Sequence, residues 1–425
     1  MYKYTDYLNE YGRIMQFNKN KSEPYHRWYS FVEGYSKEFI QSIIKEIPQK
    51  DNIVCLEPFS GSGTTALELQ NMGIKCSSFE VNPLMFLIAK VKLENNYDIT
   101  DLKKWFNFIC KNREKYTINS LNSEFSTLYE GEGKVKWNYD ISVAIAVEKL
   151  KLAVNEITDS KYKDLFTVAL AAILLDVSNL YRNGKCLSYK KNWKNKKVLG
   201  KEVFQIFDKK VTDELIYDLT NVKRNNVVNN KETLYNEDSR ISIYEKIEDA
   251  TIDLVITSPP YLNSRDYTDT YMLELKTLGF TANNSDIRVL REKTLRSHVQ
   301  IKWNDKTNIN NHLLNETLSK LQEGSVIKKI WNKSIIDMVR LYFVDVKIIF
   351  NALYKKLKNG GRVYFNVSNS AYFNVLINAL EICASIAENE GFKVIEIRKA
   401  RYLKTSPQQK KNIEKLLEGV IVLER

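Results

Sequence analysis

The segment Thr257-Ser258-Pro259-Pro260-Tyr261 follows the apolar run 252–256 (IDLVI). A Pro-Pro pair cannot continue a sheet, so it fixes a rigid loop where the strand ends. Ser258 brings a hydroxyl acceptor, Pro259 a carbonyl, and Tyr261 a flat aromatic face. Together they suit a planar ring that carries an exocyclic amine. A plain turn between strand and helix accounts for Pro-Pro alone but less well for the whole cluster. A second chemical segment lies about two hundred residues earlier, in Phe59-Ser60-Gly61-Ser62-Gly63-Thr64-Thr65. Glycines there let the backbone approach a ligand, and free N–H groups at a helix start favour an anion. A P-loop needs Gly-Lys-Ser/Thr, whereas Gly63 is followed by Thr64-Thr65, so triphosphate hydrolysis is disfavoured. A structural tight turn remains the alternative for this motif taken alone. Glu80 stands 19 residues beyond Gly61, the interval at which an acid accepts from ribose hydroxyls in nucleoside-binding α/β folds.

These residues need elements to hold them. The pattern 38–47 (EFIQSIIKEI) has helical spacing, 52–57 (NIVCLE) reads as a buried strand, and the glycine turn joins it to a helix over 66–72. A strand over 75–80 follows, and Asn82-Pro83 opens another helix. Strand, glycine turn, helix and strand in that order begin a doubly wound α/β sheet. The rhythm then stops. From 97 to 231 the sequence reads as mostly amphipathic helix, as in 142–153 and 163–180, with a turn at 182–185. It resumes with 232–237 and 251–257, pauses over 281–333, and ends in a helix (335–356), a strand (362–367), a helix (375–389) and strands at 393–397 and 419–423. The expectation is one interrupted α/β domain rather than two in tandem.

At this point the chain resembles a known family. LEPFSGSGTTALE, FEVNP, NEDSR and DLVITSPPY look like the successive motifs of the S-adenosylmethionine-dependent amino-methyltransferases of DNA, which modify cytosine N4 or adenine N6. NGGRVYFNVSN (359–369) and LEGVIVLER (417–425) look like that family's later strands, and HRWYSFVEGYSKEF (26–39) like its segment on the cofactor's methionine part. The resemblance implies a Rossmann-like methyltransferase sheet with S-adenosyl-L-methionine as cofactor. It implies that Phe59, Gly61, Gly63 and Thr64 cradle the methionine end, beside Trp28 and Tyr29. Glu80 would take the ribose hydroxyls, Val81 and Asn82 would flank the adenine, and Asp238 would sit near the adenine amine. Ser258, Pro259, Pro260 and Tyr261 match the catalytic tetrapeptide. Glu57 stands where the family more often has Asp, a longer carboxylate that shifts a cofactor contact made there.

The resemblance also implies a division of the chain. Residues 1–97, 232–280 and 334–425 would form the catalytic domain, interrupted by a mainly helical basic insertion (98–231) and a smaller one (281–333). The first insertion precedes Asp238 and is unusually placed, so the family's usual recognition region cannot simply be transferred. Ser before Pro-Pro-Tyr is more typical of cytosine-N4 enzymes, and adenine N6 is the alternative. Methylation of RNA or a protein amide, and a non-catalytic nucleic-acid-binding module, also stay open. The sulfonium carbon is already electrophilic, so no metal is expected, and no Pro-Cys dipeptide supplies the nucleophile of the cytosine-C5 route. A target inside duplex DNA must be flipped out, costing a few kcal/mol.

The chain has 425 residues with 64 Lys+Arg and 52 Asp+Glu, a net charge of +12. The excess is clustered. Positions 182–231 hold 13 basic and 5 acidic residues (+8), and 287–306 hold 6 and 2 (+4). Clustered positive charge suits a polyanion. Arg182, Lys185, Lys190, Lys191 and Trp193 are DNA-contact candidates in the first region, and Arg291, Lys293, Arg296 and His298 in the second. A solvated basic face is the alternative for each. The charge alone leaves nucleic acid and a solvated face open; the family resemblance implies double-stranded DNA as the partner, alongside a cognate restriction endonuclease or in an orphan system, with monomer or homodimer left open. Five scattered cysteines without CxxC, and three histidines, argue against a zinc cluster or a disulfide framework and for a reducing cytoplasm. No apolar signal core opens the chain, and the apolar run 165–175 is too short for a span of about 20 residues.

Overall fold

β2 (Val54–Glu57) alternates its side chains between two cores. Cys55 packs to one face and Leu56 to the other. β7 (Ile252–Thr257) does the same with Leu254 and Val255. Strands that are apolar on both faces need cover on both, and helices supply it. Lys37–Glu46, Thr64–Asn71 and Pro83–Leu93 pack on one side; Ser239–Lys246, Ile335–Lys356 and Ala379–Asn389 pack on the other.

The computed structural model describes residues 2–48, 52–184, 186–195, 197–224, 227–262, 266–327, 334–405 and 413–425. Its central sheet includes eight strands. In chain order these are β1 (Tyr4–Asp6), β2, β3 (Lys75–Phe79), β6 (Leu234–Tyr235), β7, β8 (Leu357–Ser368), β11 (Lys393–Lys404) and β12 (Lys415–Glu424). β4 (Leu180–Asn183) and β5 (Cys186–Tyr189) form a hairpin of their own, as do β9 (Ser370–Tyr372) and β10 (Val375–Ile377). Across the sheet the order is β1-β11-β12-β8-β7-β2-β3-β6. All neighbours are parallel except β12 with β11 and with β8. From β2 the chain winds outward through β3 to β6, and from β7 it winds the other way to β8. The order therefore reverses between β2 and β7, which pair in register at Leu56 and Val255. Open α/β sheets place ligands at the carboxyl ends beside such a reversal.

Local chemistry sets several boundaries. Asn82 accepts from the N–H groups of Leu84 (3.0 Å) and Met85 (3.4 Å), and Pro83 opens the helix behind it. Two expectations need correction. The stretch 375–377 belongs to the β9–β10 hairpin, not to the following helix; the chain turns at Phe373 and Asn374, both with positive φ (53° and 64°). Residue 180 opens β4 rather than closing a helix, because the helix Ser160–Val177 ends earlier. The polar stretch 281–333 contains the helices Asn284–Lys293 and His312–Ile327. No helix among the described residues is long and apolar enough to cross a membrane.

One buried ion cluster ties three segments together. Asp345, fully buried in the helix Ile335–Lys356, accepts from Arg240 (3.0 Å) and from Arg296 (2.6 Å). Removing the carboxylate takes from each guanidinium its fully buried partner and leaves Arg240 with Asp238 and Arg296 with Asp305. Asp345→Ala is expected to lower the unfolding free energy by about 3–5 kcal/mol, read from urea denaturation; a change below about 1 kcal/mol, the level of an exposed pair, would contradict the cluster's role.

Candidate active site

Glu57 ends β2 and is 1% exposed. Four donors reach its carboxylate: Thr257 Oγ1 (2.5 Å), Thr65 Oγ1 (2.9 Å), Tyr35 OH (2.9 Å) and the Phe59 N–H (2.9 Å). They come from the end of β7, the first turn of the helix Thr64–Asn71, the N-terminal segment and the glycine turn itself. The residue after Thr257 is Ser258. Glu57 thus fastens the two loops singled out in the sequence to each other. Burial pushes its carboxyl up to about 7, against the pull of those donors.

Above this carboxylate lies a cavity of about 470 Å³ whose wall includes both loops. Phe59, Gly61 and Thr64 line it from the glycine turn, Glu80, Val81 and Asn82 from the end of β3, and Asp238 from the start of the helix Ser239–Lys246. Gly61 has φ of 51°, and a Cβ there would lie 2.9 Å from the Phe31 ring. Its N–H donates to Glu80 Oε2 (2.8 Å), and the Asn82 N–H to Glu80 Oε1 (2.7 Å). Burial raises the Glu80 carboxyl to about 7 as well. Asp238 caps its helix at the Arg240 N–H (2.9 Å) and is ion-paired to the Arg240 guanidinium (2.6 Å). Arg240 in turn reaches Asp345, so the buried cluster below also steadies the cavity wall.

Ser258, Pro259, Pro260 and Tyr261 line the opposite side of the same cavity. The Ser258 hydroxyl donates to Tyr261 OH (3.3 Å), and Tyr261 OH donates to Glu418 Oε1 (2.9 Å). Asn366 Nδ2 donates to Tyr261 OH (2.6 Å), Ser258 Oγ (3.3 Å) and Glu418 Oε1 (3.3 Å). Burial, then the Glu418 charge, holds the Tyr261 phenol well above its ordinary value, so it stays protonated. Among the described residues the buried hydroxyl of Ser60, in the same wall, has no hydrogen-bond partner.

Several candidate residues sit elsewhere. Trp28 and Tyr29 do not line the cavity. Trp28 Nε1 donates to Asp218 (2.9 Å) and Tyr29 OH to Glu274 (3.0 Å), and it is their neighbours Phe31 and Val32 that face the space. Gly63 lies behind the wall, at φ 81°, where a Cβ would meet Ala89 at 2.8 Å. Glu57 also lies behind it, with its oxygens already engaged.

Among the basic candidates, Arg182 pairs with Glu274 (2.5 Å), and Arg291 with Asp266 (2.9 Å) and Asp269 (2.5 Å). Arg296 is buried on Asp345 and Asp305. Lys190 Nζ binds the carbonyls of Asp176 (2.8 Å) and Ser178 (2.6 Å), closing the end of the helix Ser160–Val177. Trp193 packs against Trp137, and His298 is 1% exposed. These charges are spent inside the fold, where a guanidinium or ammonium needs a partner. Lys191 is exposed, and Lys293 is exposed on the cavity wall. Lys185 lies outside the described residues.

Asn366, Arg401 and Glu418 are cavity residues that sequence reasoning missed. The available signal was a polar side chain inside an apolar strand pattern, in FNVSN and LEGVIVL.

The two raised carboxyls give the ligand-free protein a pH signature. Each holds a proton up to about pH 7 that the unfolded chain releases near 4.5. The stability they contribute is therefore full below 4.5 and is lost as pH rises through 7. Urea unfolding from about pH 5 to about pH 8 is expected to show this fall, with a shallower slope in Glu57→Gln. Identical slopes in the two proteins would mean Glu57 titrates near its ordinary value.

No family model matches the chain. A type II methyltransferase of Geobacillus stearothermophilus, M.BsoBI, is 29% identical over 445 residues, covering 93% of this chain and 84% of that protein. M.AvaI of a Nostoc species, also a type II methyltransferase, is 27% identical over 420 residues, covering 91% and 82%. M.MvaI of Kocuria varians is 25% identical over 283 residues, covering 62% of this chain and 59% of its own length. Over more than nine-tenths of its length the chain is a homologue of type II methyltransferases.

Proposed function

We propose that this protein is a site-specific DNA methyltransferase that moves a methyl group from S-adenosyl-L-methionine to the exocyclic amine of a flipped base, cytosine N4. The observation that carries this reading is the single cavity shared by the Gly61–Glu80 wall and the Ser258–Tyr261 wall. One wall suits a nucleoside and the other an aromatic amine.

The residues present fit such a cofactor. Gly61, in the left-handed region with the Phe31 ring packed against it, brings bare backbone to the cavity, and among the described residues buried Ser60 Oγ has no hydrogen-bond partner. Glu80 offers the ribose hydroxyls a carboxylate already steadied by two backbone N–H groups. Asp238 stands beside the adenine end, and Phe59 and Thr64 at the methionine end. When bound, S-adenosylmethionine supplies an electrophilic sulfonium methyl group. The protein's part is to aim the nitrogen. An exocyclic amine is a poor nucleophile because its lone pair is delocalised into the ring. Hydrogen bonds from the amine to Ser258 Oγ and the Pro259 carbonyl favour a pyramidal nitrogen with its lone pair free. Alignment and preorganised acceptors of this kind lower a barrier by several kcal/mol. Tyr261, pinned at its hydroxyl, offers its ring to the flipped base and offsets part of the flipping cost.

In this reading duplex DNA is the partner, in the cytoplasm and beside a cognate restriction endonuclease. The regions 98–231 and 281–333 carry recognition. Lys191 and Lys293, outside the ion pairs that engage the neighbouring arginines, grip phosphates.

Two experiments test the assignment. With radiolabelled S-adenosylmethionine and unmethylated duplex DNA, Ser258→Ala and Tyr261→Ala are expected to lose transfer while calorimetry still detects the cofactor. Full activity in both would refute the site. Cofactor affinity is expected to weaken as pH falls through about 7, where Glu80 takes up its proton. Glu80→Ala should abolish that pH dependence; if the dependence persists, Glu80 is not its source.

A further inference from the structure

Glu418 is 1% exposed, and three side chains converge on it. Tyr261 OH and Asn366 Nδ2 bind Oε1, and Arg401 Nε binds Oε2 at 2.6 Å. The convergence follows from the sheet. Arg401 lies opposite Glu418 in the β11–β12 ladder, just after an irregularity between Lys399 and Arg401. Such bulges re-aim a side chain at the end of a strand. Asn366 comes from β8, which pairs with β12 on its other side.

The donors and acceptors left over have a definite pattern. A carboxylate only accepts, so the side of Asn366 that faces Glu418 must be its NH2 group. Among the described residues Asn366 Oδ1 is then a buried acceptor without a partner. Arg401 uses only Nε on Glu418; among the described residues its terminal NH2 groups make no hydrogen bond. Arg401, Asn366 and Glu418 line the same cavity as Ser258 and Tyr261. The wall facing the reacting amine thus presents spare guanidinium donors beside an added acceptor.

A pyrimidine and a purine meet that wall differently. Next to its amine, cytosine carries two acceptors in a row, N3 and O2. Adenine carries one acceptor, N1, and then a C–H. A fork of donors is satisfied by the first edge and left with an unpaired N–H by the second. Sites built to hydrogen-bond a group reject analogues that lack it. Resting on the methyltransferase reading of the cavity, we propose that Arg401 is the specificity-determining residue that donates to the N3–O2 edge of a flipped cytosine, with Glu418 the positioning residue that holds it. Asn366 Oδ1 adds an acceptor for the amine's hydrogens.

The test uses the full-length enzyme, unmethylated duplex plasmid DNA and radiolabelled S-adenosylmethionine, with the modified nucleosides identified by mass spectrometry. Wild type is expected to yield N4-methylcytosine. Arg401→Ala is expected to lose kcat/KM by about tenfold to a hundredfold, the size of one good base contact, while its calorimetric Kd for the cofactor stays that of wild type. Arg401→Lys keeps one donor and should lose less. Glu418→Gln keeps the shape without the charge and should fall between wild type and Arg401→Ala. If Arg401→Ala does not fold, Arg401→Lys decides, because a wild-type kcat/KM in that variant overturns the proposal. Wild-type kcat/KM in Arg401→Ala, or N6-methyladenine as the wild-type product, would also overturn it. A wild type that transfers nothing to DNA defeats the underlying methyltransferase reading instead, and this inference with it.

Discussion

A carboxylate buried at the end of a central strand has two ways to exist: met by donors, or protonated. Glu57 does some of each. It gathers donors from four segments while burial still lifts its carboxyl to about 7. The geometry matters more than the charge. Thr257 and Thr65 each stand at the edge of a chemically important loop, and each is hydrogen-bonded to the same side chain. Because β2 and β7 are parallel neighbours, their carboxyl ends already point the same way. Glu57 removes the remaining freedom. Without that constraint the two loops would share a sheet edge but not a fixed distance, and a reaction between ligands held by each needs the distance. An Asp in place of Glu57 has one methylene less with which to reach the same four donors.

The parts of the fold legible in the sequence are those where backbone and side chain agree locally. VCLE before a glycine turn, Asn82 before Pro83, and IDLVIT before Pro-Pro each combine a periodic pattern with a chemical stop. The observed boundaries fall within two residues of those expected. The failures lie where tertiary contacts decide. Val375, Leu376 and Ile377 are as apolar as a helix face, yet they pair as a strand because Phe373 and Asn374 turn the chain sharply. β1 pairs with β11 across almost the whole length of the chain, and nothing local in YTD announces a parallel partner near residue 398.

The site divides in the same way. The glycine turn, Glu80 and Ser258-Pro259-Pro260-Tyr261 each sit in a short contiguous segment at a strand end, so their motifs are readable from spacing. Charge was less readable. The clustered arginines suggested a surface for a polyanion, but Arg182, Arg291 and Arg296 are paired with Glu274, Asp266, Asp269 and Asp345. The acids lie outside the basic clusters in sequence or were too few to cancel them by count. A net charge over a window says how many cations are present, not how many face water. Lysines, whose long stems leave the ammonium free to reach solvent, are the residues for which a sequence window remains informative, as exposed Lys191 and Lys293 illustrate.

The loop Ser258–Tyr261 is met by the last strands of the chain. In a parallel sheet alone, β7 would have β8 beside it and little beyond. The antiparallel β11–β12 pair extends that edge and brings Arg401 and Glu418 to the rim of the cavity. Antiparallel strands can do this because a hairpin returns the chain to the same edge without a crossover. The parallel half of the sheet therefore supplies the two loops of the cavity wall, and the antiparallel extension adds the long side chains of Arg401 and Glu418 to it. Glu418 joins the halves chemically. It receives Tyr261 from the loop after β7, Asn366 from β8 and Arg401 from β11. A buried carboxylate with three donors fixes the direction of each of them. That direction is the property a recognition wall requires, since a hydrogen bond discriminates between bases only when its donor cannot turn to follow the wrong one.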